Sequence, residues 1–116
     1  MRFLRVTLTL QTLVLLIQAI TAGMLLSSPG GRAAHSVTAI AVVAVVLVNL
    51  VAALVARQRA MIVPAVVMLL LTLAQMALGM AHMKTLHVPL GVLMFGGSLV
   101  QTAQIWASRR TVPAAA

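Results

Sequence analysis

Three histidines, His35, His82 and His87, are the only side chains in this 116-residue sequence whose ordinary chemistry is to bind a metal or exchange a proton near neutral pH. No cysteine, aspartate or glutamate accompanies them. Within one chain, that composition excludes a carboxylate acid/base pair, a carboxylate-held divalent cation, a thiolate site, a disulfide and a covalently attached c-type haem. Most hydrolases and many proton-coupled transporters are removed with them. His35 and His87 stand in matching contexts. Each has a basic residue three positions before it (Arg32, Lys84), a Gly-Met pair further upstream (Gly23-Met24, Gly79-Met80) and a glutamine before that (Gln18, Gln75).

The elements that must position these residues are set by composition. Hydrophobic residues make up 63% of the chain and charged residues 7%, where a soluble domain carries about a quarter charged. A membrane-crossing helix needs about 20 apolar residues, and four such runs fill the chain. The fold class expected is all-α, an integral membrane four-helix bundle of two antiparallel hairpins. It forms a single transmembrane domain over residues 1–116, with helices at about 6–26, 36–56, 61–81 and 87–107 and a cytoplasmic tail at 108–116. The first run is longer than the about 7 to 15 apolar residues of a signal peptide core and contains Gln11 and Gln18, so it is read as a span. Ser27 to Arg32 is a turn-forming cluster. Arg57-Gln58-Arg59 is too short for anything but an antiparallel hairpin. Pro64 and Pro89 are expected in the first turns of their helices, where a missing N–H costs nothing.

Arg2, Arg5, Arg57, Arg59, Arg109 and Arg110 fall at one end of these runs, and Arg32 and Lys84 at the other. By the positive-inside rule the first end is cytoplasmic. The expected location is therefore the cell (plasma) membrane, multi-pass, with both termini cytoplasmic and all three histidines at the outer face. The net charge of +8 is topological. With one Trp and two Phe there is no stacking platform, and nucleic acid is not an expected partner.

The matching contexts describe an internal repeat, in which an approximate two-fold axis along the membrane normal relates the hairpins. Such an axis sets His35 and His87 on diagonal helices, facing a shared cavity. Opposed imidazoles suit haem b, with His35 and His87 as axial ligands of the iron. Gly91 lies one turn from His87, Thr38 and Ala39 are small residues beside His35, and Gly23 and Gly79 offer room on the other two helices. Arg32 and Lys84 are the cations available to the propionates. His82 has no counterpart in the first half and is read as a surface residue. Met24, Met80 and Met83 are read as packing, and Gly96-Gly97-Ser98 as a helix-contact face. Gln18, Gln75, Gln101, Gln104 and Asn49 are expected to form interhelical hydrogen bonds. A zinc or copper site on the three histidines is the rival. His35 and His87 belong to different hairpins, however, and no carboxylate or thiolate completes the shell.

The run Gln75-x-x-x-Gly79, then Leu86-His87-x-x-Leu90-Gly91 with Phe95-Gly96, resembles the end of a hairpin in the haem A synthase family. Gln18, Gly23 and His35 resemble the preceding hairpin of the same bundle. That family has eight helices in two similar halves, each with a histidine pair from its second and fourth helices, so the resemblance covers half of its fold. It implies a haem b pocket with His35 and His87 as axial ligands. It does not imply synthase activity, because the family's outer-loop glutamate and cysteine pair have no counterpart here.

The expected function is a small cytochrome b-like membrane protein, used for electron transfer or for haem carriage or sensing and without enzymatic activity of its own. Its expected partners are the lipid bilayer and either a second copy in a homodimer or a larger membrane oxidoreductase. A cofactor-free accessory subunit of a larger membrane complex is the alternative. A small multidrug-type transporter is disfavoured because there is no membrane carboxylate.

Overall fold

A long apolar run satisfies its backbone away from water only by bonding within itself, and in a single segment that means a helix. The computed structural model describes residues 2–108, which form four helices: α1 (Arg2–Ser27), α2 (Gly31–Val55), α3 (Arg59–Met80) and α4 (Lys84–Ala107). All four are long and apolar enough to cross a membrane. No strand occurs among the described residues. The expected tail lies outside the described residues apart from Ser108, as do Arg109 and Arg110.

Every helix starts two to five residues before the apolar run that announces it. Hydrophobic content marks the part of a helix inside lipid, whereas backbone hydrogen bonding continues into the polar first turn. Two site-related expectations change as a result. Pro64 and Pro89 are not in first turns; each is the sixth residue of its helix. Neither can donate to the carbonyl four residues earlier, so Ala60 and Thr85 lose their usual helical partner. His82 lies just past α3, as the expected end at residue 81 has it. It follows the C-cap Ala81 with φ 56°, and its N–H bonds to the Gly79 carbonyl at 3.1 Å while that of Met83 bonds to Leu78 at 3.0 Å. This is a Schellman termination, which needs a left-handed residue at the position His82 fills. Arg57, with φ 53°, ends α2 the same way.

The helices form a closed ring in which α1 packs on α2 and α4, and α3 packs on α2 and α4. Neither diagonal, α1 with α3 or α2 with α4, brings Cα atoms within 8 Å. Gly31 permits the tight entry to α2, since a Cβ there would lie 2.3 Å from the Met24 carbonyl oxygen.

Large apolar residues such as Leu13, Ile20, Val51, Leu70 and Val92 point outward, as they must where the solvent is hydrocarbon. The interior is layered. Nearest the arginine end Leu4, Leu8, Ala52, Ala53, Ala65 and Ile105 pack together. Further along, Leu15, Val42, Val46, Met68 and Met94 form a second apolar cluster. A polar seam joins α1 to its neighbours: Thr7 donates to Asn49 at 2.9 Å, Gln11 to Ser98 at 3.1 Å, and the Thr12 hydroxyl meets those of Ser98 at 2.7 Å and Thr102 at 2.8 Å. Such bonds between membrane helices average about 0.6 kcal/mol, and their larger effect here is to set rotation and register. At the arginine end Arg5 donates to the Ile105 carbonyl at 3.1 Å and lies 5.7 Å from the Trp106 ring, whose N–H bonds to Thr9 at 3.0 Å.

Candidate functional site

At the end of the bundle opposite Arg2, Arg5, Arg57 and Arg59, His35 in the second turn of α2 and His87 in the first turn of α4 face each other across the diagonal. Their ring centroids are 6.2 Å apart, with planes at 71°. Both residues are half-buried. Each is held by the glutamine of its own hairpin, so the Gln18/His35 and Gln75/His87 correspondence seen in the sequence reappears as contact.

His87 is held at two points. Its Nδ1 lies 2.9 Å from the Gln75 carbonyl oxygen, and the Gln75 side-chain amide donates to the His87 carbonyl at 2.7 Å. A carbonyl only accepts, so Nδ1 carries the proton and Nε2 of the neutral ring carries the lone pair. Nε2 makes no hydrogen bond to any described residue. Histidines that bind metals are commonly braced in this way, with the far nitrogen donating to a carbonyl while the near one is presented.

His35 is held differently. The Gln18 amide nitrogen lies 3.3 Å from its Nε2, and the Thr21 hydroxyl 3.3 Å from its Nδ1. The amide donates, so Nε2 accepts and Nδ1 carries the proton here too. Thr38 completes the cluster, donating to the Gln18 carbonyl oxygen and meeting the Thr21 hydroxyl at 2.9 Å. The two rings therefore share a tautomer but not an occupancy: Nε2 of His87 is open, and Nε2 of His35 is engaged by Gln18.

The glycines divide. A Cβ on Gly79 would lie 3.1 Å from His87 Cε1, and a Cβ on Gly91 would lie 2.8 Å from the Gln75 amide nitrogen. The room these two glycines leave is thus filled by His87 and by Gln75. Gly23 is exposed and has open space beside it, so it is not brought to the histidines. Arg32 and Lys84 are exposed at the same end, and their side chains make no hydrogen bond to described residues. His82 is exposed in the turn after α3, and no group of three or more metal-binding side chains occurs among the described residues. The zinc or copper alternative therefore has no assembled three-histidine cluster behind it.

Of the glutamines and asparagine expected to join helices, Gln18, Gln75 and Asn49 do so. Gln101 and Gln104 do not; their side chains make no hydrogen bond to described residues. Ser98 contacts α1 as expected, but Gly96 and Gly97 face open space within this chain. The sequence reading missed Thr21, which binds the ring of His35. The available signal was spacing, since Thr21 follows Gln18 by three residues and so shares its face. Gln75 Oε1 is buried and unpaired beside His87.

No known protein family, curated protein or solved structure matches the chain. The likeness to the haem A synthase family rests on the quoted residues alone.

Proposed function

We propose that this protein is a small cytochrome b-like membrane protein that binds one haem b, with His35 and His87 as axial ligands, for electron transfer or for haem carriage or sensing. The observation that carries the reading is the approach of two imidazoles from diagonal helices to 6.2 Å between centroids. Two metal–nitrogen bonds of about 2 Å, with about 1 Å from each nitrogen to its ring centre, give a separation of about 6 Å. The brace on His87 leaves its Nε2 presented. Arg32 and Lys84, three residues before each histidine, supply cations for the propionates. When bound, haem supplies a one-electron couple, and bis-histidine ligation favours electron transfer over oxygen chemistry because no coordination position stays open. Binding requires the Gln18 amide to leave Nε2 of His35.

The histidine end is the outer one by the arginine count, with the termini cytoplasmic and the chain in the cell membrane. A second copy, or a larger membrane oxidoreductase, is the partner such a cytochrome requires, because one haem near one face does not carry electrons across the bilayer.

The second reading, a cofactor-free subunit of a larger complex, is favoured by the hydrogen bonds that already satisfy both nitrogens of His35. One experiment separates the two. Protein purified in mild detergent from haem-sufficient cells is expected to have a sharp Soret band with resolved α and β bands on reduction. The bands should be lost in His35→Ala and in His87→Ala but kept in His82→Ala. A colourless preparation after haem addition rejects the cytochrome reading and leaves the structural one.

A further inference from the structure

At the other end of the molecule, far from the histidines, the start of α3 and the end of α4 leave a cleft of about 220 Å³ lined by Ala60, Met61, Pro64, Gln101, Gln104 and Ile105. We infer that this cleft, with Arg59 next in the chain to its lining residue Ala60 and Arg57 in the turn before it, binds an anionic phospholipid of the adjacent leaflet. The inference does not rest on the haem reading.

Three observations converge on that chemistry. Gln101 and Gln104 share a face of α4, line the cleft and make no side-chain hydrogen bond to described residues, so their amides are available to a ligand. They sit three and six residues from the end of α4, about 5 to 9 Å inside the helix terminus. That is the depth of the boundary between headgroups and acyl chains, where a phospholipid offers ester and glycerol oxygens. The second observation is Pro64, which leaves the Ala60 carbonyl on the cleft wall without its usual donor. That acceptor matches a hydroxyl-bearing headgroup. The third is charge. Arg57 and Arg59 are exposed in and just after the α2–α3 turn, Arg59 is the chain neighbour of Ala60, and the sequence has no acidic side chain to meet either. Their anion must come from outside, and the leaflet phosphate lies at that level. Met61, Pro64 and Ile105 are then the apolar wall for an acyl chain.

A quinone head is the competing occupant, since two amides suit its two carbonyls. It leaves both arginines without an anion, and this end has no acidic or histidine side chain to take the protons of a quinol. The charge therefore favours the lipid.

The test is native mass spectrometry of the full chain in mild detergent, titrated with dioleoyl phosphatidylglycerol or with dioleoyl phosphatidylcholine. Two arginines near the surface, at about 1 kcal/mol each, predict a preference for phosphatidylglycerol of at least about tenfold. Arg57→Gln/Arg59→Gln should reduce retention of phosphatidylglycerol to the phosphatidylcholine level. Gln101→Leu/Gln104→Leu should lower it several-fold with unchanged helical content and melting temperature. Equal retention of the two lipids, insensitivity to both double variants, or displacement of bound phosphatidylglycerol by equimolar decylubiquinone would overturn the inference.

Discussion

His87 and Gln75 hold each other at two points: the imidazole Nδ1 donates to the Gln75 backbone carbonyl at 2.9 Å, and the Gln75 amide donates back to the His87 carbonyl at 2.7 Å. The first bond fixes the ring's tautomer, and the second ties the start of α4 to α3. Gln75→Leu removes only the second, so the ring keeps its carbonyl partner but loses its firm orientation. The expected outcome is about a 10- to 100-fold loss of haem affinity, the usual range for a group that orients a metal ligand, with the Soret position retained. Haem titration of the purified variant measures it. An unchanged affinity would assign Gln75 to packing alone.

Gly91 is a glycine because Gln75 needs its space. Gly91→Ala sets a methyl group 2.8 Å from the Gln75 amide nitrogen, the end of a flexible side chain, so the amide must move off the His87 carbonyl it binds, a loss of about 0.5 to 1.5 kcal/mol. Gly23→Ala meets nothing within 4 Å, and exchanging glycine for alanine in a helix gains about 0.5 to 1 kcal/mol. Both substitutions gain this, so the melting temperature in detergent should be higher for Gly23→Ala than for Gly91→Ala. Equal melting temperatures for the two would contradict the difference in their surroundings.

Ser98 has no accessible surface and meets both Gln11 and Thr12, while Gln11 Oε1 is buried without a partner. Removing a shared hydroxyl leaves buried groups unsatisfied, at about 1 to 3 kcal/mol, whereas Gln11→Leu removes an unpaired acceptor and leaves Ser98 its bond to Thr12. Ser98→Ala should lower the melting temperature more than Gln11→Leu does. If Gln11→Leu proves the more damaging, Gln11 has a partner that these hydrogen bonds omit.

The orientation rests on the arginines. A reporter fused after Ala116 should be active only in its cytoplasmic form, and one inserted in the turn between α3 and α4 only in its exported form. The reverse pattern would put the histidines at the inner face and remove the outer-face assignment of the proposed haem.

Much of the architecture was legible from runs of apolar residues and the residues that interrupt them. The number of helices, their antiparallel order and the collection of all three histidines at one end follow from length and charge. Boundaries were less legible. Hydrophobicity reports where lipid is and hydrogen bonding reports where helix is, and the two differ by a turn. That difference moved Pro64 and Pro89 out of their first turns. Within the site, the Gln18/His35 and Gln75/His87 pairs were visible as a repeat. The function of Gly91 was not, because its partner is a side chain from another helix.

By itself, then, the sequence determined four helices long and apolar enough to cross a membrane, the charge difference between the ends and the absence of any acidic or thiol side chain, all properties that accumulate residue by residue along the chain. Tertiary structure alone decided that His35 and His87 face each other, that Gln18 engages one ring while the other is left open, and that Gln101 and Gln104 line a cleft instead of joining helices. The reason is rotational. Each residue turns an α-helix by about 100°, and helices apolar on every side carry no stripe that says which face looks inward. Only packing against neighbours, through the polar seam of Gln11, Thr12 and Ser98 and the close approach at Gly31, sets that angle.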